Sequence, residues 1–400
     1  MAVYYINFVL ILGLAWPLCI HKPTKAKKIA YLAITFGYMW FLATFREGIG
    51  YDYQSYIDIF NNAKAANSFM ELWNMPHEIG FMLLTKGMTF ITDSSVVMYG
   101  IYSALIFIPI CIFIYKYCDD AWLATWLYVT LVFFYSNMSF IRQGLACAII
   151  ALAYGFLKNK KVVPFMLMVL LAAGFHKTAL IMIPIFFLCH IKPNKWTSIF
   201  YAVSTGLVYI FLPQIVDLVT RFAFTSYRDS DGPYIKAGLS FVEFMLVPLV
   251  ILITCIALYF VWRKRDPDAP MLLNLMTYSA IIWLAGTRFM ILERFSMYNY
   301  IFALVALPAA LRSLYASPET VEKRDKQAAY IAARKGKVPK QEAAKLDELE
   351  LTIDDHKKYY WSAVIAVLVI TFIYNYFGMY VNGFHNVFPY QSVFQWINTP

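Results

Sequence analysis

A chain of 400 residues that is 61% hydrophobic and only 14% charged is too apolar for a soluble protein, where the charged share is about a quarter. Its apolar runs are continuous rather than alternating, which excludes a transmembrane β-barrel and leaves a helical integral membrane protein. The net charge of +10 fits lysines that hold loops in the cytoplasm, not a nucleic-acid surface.

In chain order, segments of spanning length cover 3–20, 29–45, 96–115, 121–137 and 140–157, then 197–217, 239–262, 271–290, 295–315 and 359–380. The first lacks a basic leader and a small-residue cleavage site, so it is expected to remain as a span. Two shorter runs, 162–175 and 178–191, form a hairpin with Phe175, His176 and Lys177 at its tip. The expected fold is therefore an all-α polytopic membrane protein, a single transmembrane domain over 1–400 with about twelve helices and no internal repeat. Cys19, Cys111, Cys118, Cys147, Cys189 and Cys255 lie in or beside apolar runs without metal-ligand spacing and read as packing residues.

Lysine and arginine set the orientation. With both termini outside, the loops HKPTKAKK, KYCDD, KNKK, KPNK, RKRDPD and residues 312–358 face the cytoplasm and hold 24 of the 34 basic residues. Of those 24, five are arginine; of the ten outside, six are. Lysine suffices to anchor a loop, whereas the planar arginine fork suits bidentate binding of phosphate or carboxylate. The outer face therefore looks chemical. Residues 316–358 read as a charged, Ala-rich, partly helical cytoplasmic insertion.

Four outer stretches carry the polar groups. FREGIGYDYQSY opens the outer loop 46–95, where Gly48 and Gly50 allow turns and Tyr51, Tyr53 and Tyr56 fit an interfacial belt. Arg46 and Asp52 are candidates there; the alternative is a snorkelling arginine and a solvated carboxylate. Later in this loop Ile79 to Ile91 has the pattern of an amphipathic surface helix with Glu78 at its start. In NMSFIRQGLACAIIALAY, Arg142 and Gln143 sit in the first turn of an inward-running helix, whose positive dipole end makes an anion site.

The third stretch is AAGFHKTALIMIPIFF. Each flanking run has 14 residues, about 21 Å of helix against a hydrocarbon core of about 30 Å. His176 is therefore expected below the outer surface in a water-accessible cavity, and the pair of runs has the length of a re-entrant hairpin. The fourth, GTRFMILERFSMYNYIF, puts Arg288, Glu293 and Arg294 on the same rim, with an internal Glu–Arg pair as the alternative. The outer loop 218–238 adds Arg221, Arg228, Asp229, Asp231 and aromatics including Tyr234, a composition suited to sugars.

No Walker loop, GxGxxG fingerprint, HExxH or CxxC occurs, so no nucleotide, metal or other cofactor is expected. An arginine rim with a histidine and carboxylates outside a polytopic core fits a lipid diphosphate whose tail stays in the bilayer. Glycosyl transfer from such a lipid needs cations for the leaving diphosphate, with Arg46, Arg142, Arg288 and Arg294 as candidates. It also needs alignment of the attacking hydroxyl and a base, for which His176, Asp52 and Glu78 are candidates. Tyr53, Gln143, Arg228 and Tyr234 are the candidate sugar contacts.

The stretches FREGIGYDYQSYIDIF, HEIGFMLLTKGMTF, IRQGLACAIIALAYGFLKNKK, LAAGFHKTALIMIPIFFL and ERFSMYNYIFALVALP, with VFPYQSVF more weakly, occur in an order that resembles the EpsG/Wzy family of polysaccharide polymerases. The resemblance covers about residues 50–310. It implies a bacterial inner-membrane enzyme of GT-C-like architecture with its active site facing the periplasm or exterior. Its substrates would be undecaprenyl-diphosphate-linked oligosaccharides, as donor and acceptor, and its possible partners a chain-length regulator and a flippase. By family position Arg142, His176 and Arg294 are implied as site residues, with Arg46 and Asp52 in the matched first loop. The insertion 316–358 lies outside the family pattern. A flippase for lipid-linked oligosaccharide and an O-antigen ligase are the alternatives. A flippase would need cationic groups along the whole path, whereas the spans carry almost none.

Overall fold

The computed structural model describes residues 2–222, 241–289, 292–333 and 339–394. Among the described residues twenty α-helices run in chain order: α1 (Ala2–Ala15), α2 (Lys25–Thr44), α3 (Tyr53–Ala65), α4 (Phe69–Trp73), α5 (Ile79–Thr89), α6 (Ser95–Tyr117), α7 (Ala121–Thr130), α8 (Phe133–Ser139), α9 (Ile141–Leu152) and α10 (Tyr154–Lys158). There follow α11 (Val162–Ala173), α12 (Met182–Leu188), α13 (Lys195–Ile210), α14 (Leu212–Phe222), α15 (Phe241–Trp262), α16 (Ala269–Gly286), α17 (Glu293–Tyr300), α18 (Ala303–Arg312), α19 (Pro318–Ala333) and α20 (Lys340–Tyr376). No named strand occurs among the described residues; Arg46 and Ser392 form an isolated bridge.

Among the described residues, five helical segments are long and apolar enough to cross a bilayer. They become six if α17 and α18, bent by 46°, count as one span. The protein is thus a multi-pass helical membrane protein. Outward-facing Ile199, Phe200, Val203 and Leu207 of α13 are apolar and exposed, as lipid contact requires.

Several apolar runs that are continuous in sequence are broken in space. The run 121–137 divides into α7 and α8 at Val132, which has φ +71°. A β-branched residue in the left-handed region is a steric outlier, and the turn ends α7 and lets α8 restart with Ser136 N–H donating to the Val132 carbonyl at 2.9 Å. The run 140–157 divides into α9 and α10 at Ala153. The hairpin consists of α11, a 3₁₀ turn (Lys177–Ile181) and α12, all below spanning length.

Inside the bundle α2 packs on α6, α6 on α9, and α16 on both α15 and α17. At the inner end in the lysine-based topology, Lys28 Nζ donates to the carbonyls of Tyr115 (2.9 Å) and Cys118 (2.7 Å), so this lysine also fastens α2 to α6. The charged stretch after residue 316 folds as an antiparallel pair, α19 against the first half of α20. At about 1.5 Å per residue the 37 residues of α20 span about 55 Å.

At the opposite end the chain after α20 turns back over the start of loop 46–95. Glu47 N–H donates to Gln391 O (3.0 Å), Val393 N–H to Phe45 O (3.0 Å) and Gly50 N–H to Asn386 O (2.8 Å). Tyr4 and Tyr390 hydroxyls donate to Val387 O (2.8 Å) and Leu42 O (3.0 Å). Gly50 has φ +102°, and a Cβ there would lie 2.9 Å from the Met138 carbonyl oxygen. We therefore predict that Gly50→Ala destabilises the detergent-solubilised protein by about 1–3 kcal/mol. Gly206→Ala, where a Cβ meets nothing within 4 Å, should leave the melting temperature unchanged or raised. Equal melting curves for Gly50→Ala and wild type would contradict this close approach.

Candidate active site

Glu78 caps the start of α5 in an extended backbone conformation, and its side chain makes no capping bond to its own helix. The carboxylate is thus available to neighbouring elements. Those neighbours are fixed by a backbone approach a few residues on: Phe81 N–H donates to the Gly174 carbonyl at 3.1 Å. A Cβ on Gly80 would lie 2.6 Å from that carbonyl oxygen, so only glycine lets α5 meet the tip of the α11–α12 hairpin.

This contact places both carboxylate oxygens. Oε1 accepts from Lys177 N–H at 3.2 Å and lies 3.3 Å from His176 Nδ1. Oε2 accepts from Arg142 Nη1 at 2.7 Å, out of the first turn of α9. Side-chain exposures of 24% for Arg142, 10% for Glu78 and 8% for His176 mark a largely desolvated triad. His176 Nε2 is buried and has no hydrogen-bond partner among the described residues. The Tyr56 hydroxyl accepts from Arg142 N–H at 3.4 Å, joining α3 to the group.

The charges divide two carboxylates into different states. Burial of Glu78 opposes ionisation, but the contact with His176 and the Arg142 charge outweigh it and hold the carboxyl well below the usual range. Asp52, at the head of α3, goes the other way: burial raises it despite the pull of Arg294, Arg142 and His176. Burial lowers His176 and His77, so the imidazoles favour the neutral form. A locked carboxylate and one with raised proton affinity, both within reach of Arg142 and His176, are the pattern that separates an electrostatic anchor from a proton acceptor.

The remaining sequence candidates fall into three groups. Arg294 and Gln143 belong beside the triad: Gln143 Nε2 donates to the Arg294 carbonyl at 2.9 Å, and the Arg294 guanidinium lies 5.3 Å from the Phe140 ring centre. Arg46, Tyr53 and Arg288 are engaged elsewhere. Arg46 is buried with its guanidinium 4.2 Å from the Tyr99 ring centre, donating to the carbonyls of Ala43 and, at 3.1 Å, Met138. Tyr53 stacks on the same Tyr99 ring at 4.9 Å. Arg288 donates to the Tyr209 carbonyl at 2.7 Å on α13. Arg228 and Tyr234 lie outside the described residues.

Sequence reasoning did not single out the Gly80–Gly174 approach, nor the Thr178–Tyr298 hydroxyl contact of 3.0 Å beneath the hairpin. The only hint was two glycines flanking the site residues, and one sequence does not say which glycines meet. Among the described residues no group of three or more His, Cys, Asp or Glu side chains is placed to hold a metal ion.

The shifts fix the sign of an acid effect. His176 has a folded-state pKa below its unfolded value, so the unfolded chain takes up the proton first and stability falls as pH drops below about 6.5. Glu78 is depressed as well, so its contribution is complete above about pH 5 and is lost as pH falls through the unfolded carboxylate range and below. We predict that wild-type melting temperature declines from about pH 7.5 to about pH 5.5 and that His176→Gln flattens part of that decline. Superimposable pH profiles for the two proteins would remove His176 from the account.

No curated protein and no solved structure matches this chain. The EpsG family model matches residues 29–321. That is more than half of the sequence, includes every member of the triad and Arg294, and stops at the beginning of the charged insertion. The chain belongs to the EpsG family, and its role is of the polysaccharide-polymerase type.

Proposed function

We propose that the protein is a lipid-diphosphate-dependent glycosyltransferase. It would transfer a growing glycan from undecaprenyl diphosphate to the non-reducing end of an incoming undecaprenyl-diphosphate-linked repeat unit, on the outer face of the bacterial inner membrane. The observation that carries this reading is the convergence of Arg142 and His176 on Glu78, with Asp52 and Arg294 close enough to interact electrostatically.

In the proposed reaction the acceptor hydroxyl oxygen bonds to the anomeric carbon of the donor sugar as the bond from that carbon to the diphosphate oxygen breaks. Arg142 and Arg294 receive the diphosphate; as permanent cations they stabilise the charge that develops on it. Asp52, the carboxylate with raised proton affinity, takes the hydroxyl proton. Glu78 is ionised and engaged on both oxygens, so its part is to hold Arg142 and His176 in place. Neutral His176 can hydrogen-bond through its unpartnered Nε2 to a phosphate or sugar oxygen. Arg46 is better read as the fastener of the outer loop, given its two carbonyl acceptors.

A flippase is the less favoured reading. A cavity of about 590 Å³ does lie at the other end of the bundle, near Lys158 and Arg312. Those cations are neutralised in place, Lys158 by Asp268 at 2.7 Å and Arg312 by Asp119 at 2.8 Å, which leaves little net charge to draw a diphosphate through. A ligase would run the same chemistry with another acceptor.

The test is polymerisation of purified lipid-diphosphate-linked repeat units in detergent, resolved on a gel. Wild type should give a ladder. Arg142→Ala should slow it by about 10²-fold or more, and Asp52→Asn by about 10²–10⁴-fold. Glycan appearing instead across liposome bilayers, with no ladder, would replace the polymerase by a transporter.

A further inference from the structure

A second cavity, of about 570 Å³, opens between α3, α4 and residues 74–77. That volume is within the range of about 300–1,000 Å³ of small-molecule sites. Its lining pairs the polar side chains of Asn62, Glu71, Asn74 and His77 with apolar surface from Met75 and Pro76. Asn62, Glu71 and Asn74 are exposed, while the Nδ1 of His77 is buried without a hydrogen-bond partner among the described residues. His77 directly precedes Glu78, so the cavity adjoins the triad through the chain itself.

We propose that this cavity is a sugar subsite that holds part of the lipid-linked glycan beside the Glu78, His176 and Arg142 cluster. Among the described residues no lysine or arginine lines it, so it is not built for a phosphate. Two carboxamides, a carboxylate and an imidazole over an apolar floor match a neutral ligand rich in hydroxyls, each of which donates and accepts. Glu71 is held in position, because its Oε2 accepts from Asn67 N–H at 2.8 Å and Ser68 caps the helix that bears it. The same short helix leaves Phe69, Met70 and Trp73 exposed, an apolar face suited to the headgroup layer. That level is where the first sugars of a membrane-anchored diphosphate lie. The ligand class rests on the polymerase reading; the cavity and its chemistry do not.

The experiment uses the oligosaccharide released by mild acid from the host's own lipid-linked repeat units. Saturation-transfer NMR is recorded with the full-length protein in detergent, alongside steady-state polymerisation. Ala65→Trp fills the cavity from the end of α3, and Asn74→Ala removes one polar group without adding bulk, which guards against a folding defect. Wild type should transfer saturation to the oligosaccharide, Ala65→Trp should abolish that transfer, and Asn74→Ala should weaken binding by about fivefold. In polymerisation, KM for the lipid-linked acceptor should rise in both variants by a larger factor than kcat falls. No transfer to wild type, or transfer and KM unchanged in both variants, overturns the subsite. Sugar bound at the cavity by a wild type that makes no polymer would instead leave the subsite standing and overturn the polymerase.

Discussion

The site depends on one carboxylate. Glu78 receives Arg142 from α9, the Lys177 amide from the hairpin tip and the His176 ring, while its own backbone starts α5. Three elements distant in sequence therefore meet at two oxygen atoms. In a partly dry setting a pair of this kind is only weakly stabilising in net terms, yet removing one partner costs about 3–5 kcal/mol because the other is left charged and unsatisfied. The arrangement therefore fixes geometry more than it adds stability.

That geometry explains why the two carboxylates of loop 46–95 differ. Asp52 and Glu78 share a loop, and both experience the charge of Arg142. Glu78 is in contact with these groups and remains ionised; Asp52 has the burial without the short contacts, so its affinity for a proton rises. In the glycosyl transfer proposed above, holding the leaving diphosphate and accepting a proton would call on both states. Burial of both groups, with short contacts to His176 and Arg142 made by Glu78, separates the two states.

The individual residues were legible in the sequence because a charge beside an apolar run is conspicuous. Arg142, His176, Glu78 and Asp52 all stand out in that way. Their grouping was not legible, since it rests on the Gly80–Gly174 approach, and nothing in one sequence pairs residues so far apart along the chain. Roles were less legible still. Glu78 and Asp52 look alike as candidate bases until their neighbours are known. Arg46 reads as an anion-binding group at the outer boundary, whereas its guanidinium is turned inward to the carbonyls of Ala43 and Met138. Helical class and the charged insertion followed from composition. The break at Val132 did not, because an uninterrupted apolar run carries no sign of a left-handed residue.

Loop 46–95 is held from both directions along the chain, which keeps Asp52 near the triad. From its N-terminal side, α2 leads into Arg46 and Gly50, whose backbone abuts Met138 and Ser139. From the C-terminal side, α20 is locked to α7 through Trp126 Nε1 to Thr371 Oγ1 (3.0 Å) and Asn375 Nδ2 to the Val129 carbonyl (3.2 Å). Residues 386–393 then pack on loop residues 45–50. At its other end the same helix stacks Tyr360 on Tyr315 at 4.1 Å and donates from the Tyr360 hydroxyl to Asp120 at 3.2 Å. One continuous helix therefore joins the charged hairpin at one end of the bundle to the segment that clamps loop 46–95 at the other. Asp52 is kept in register by contacts that a local reading of FREGIGYDYQSY does not contain.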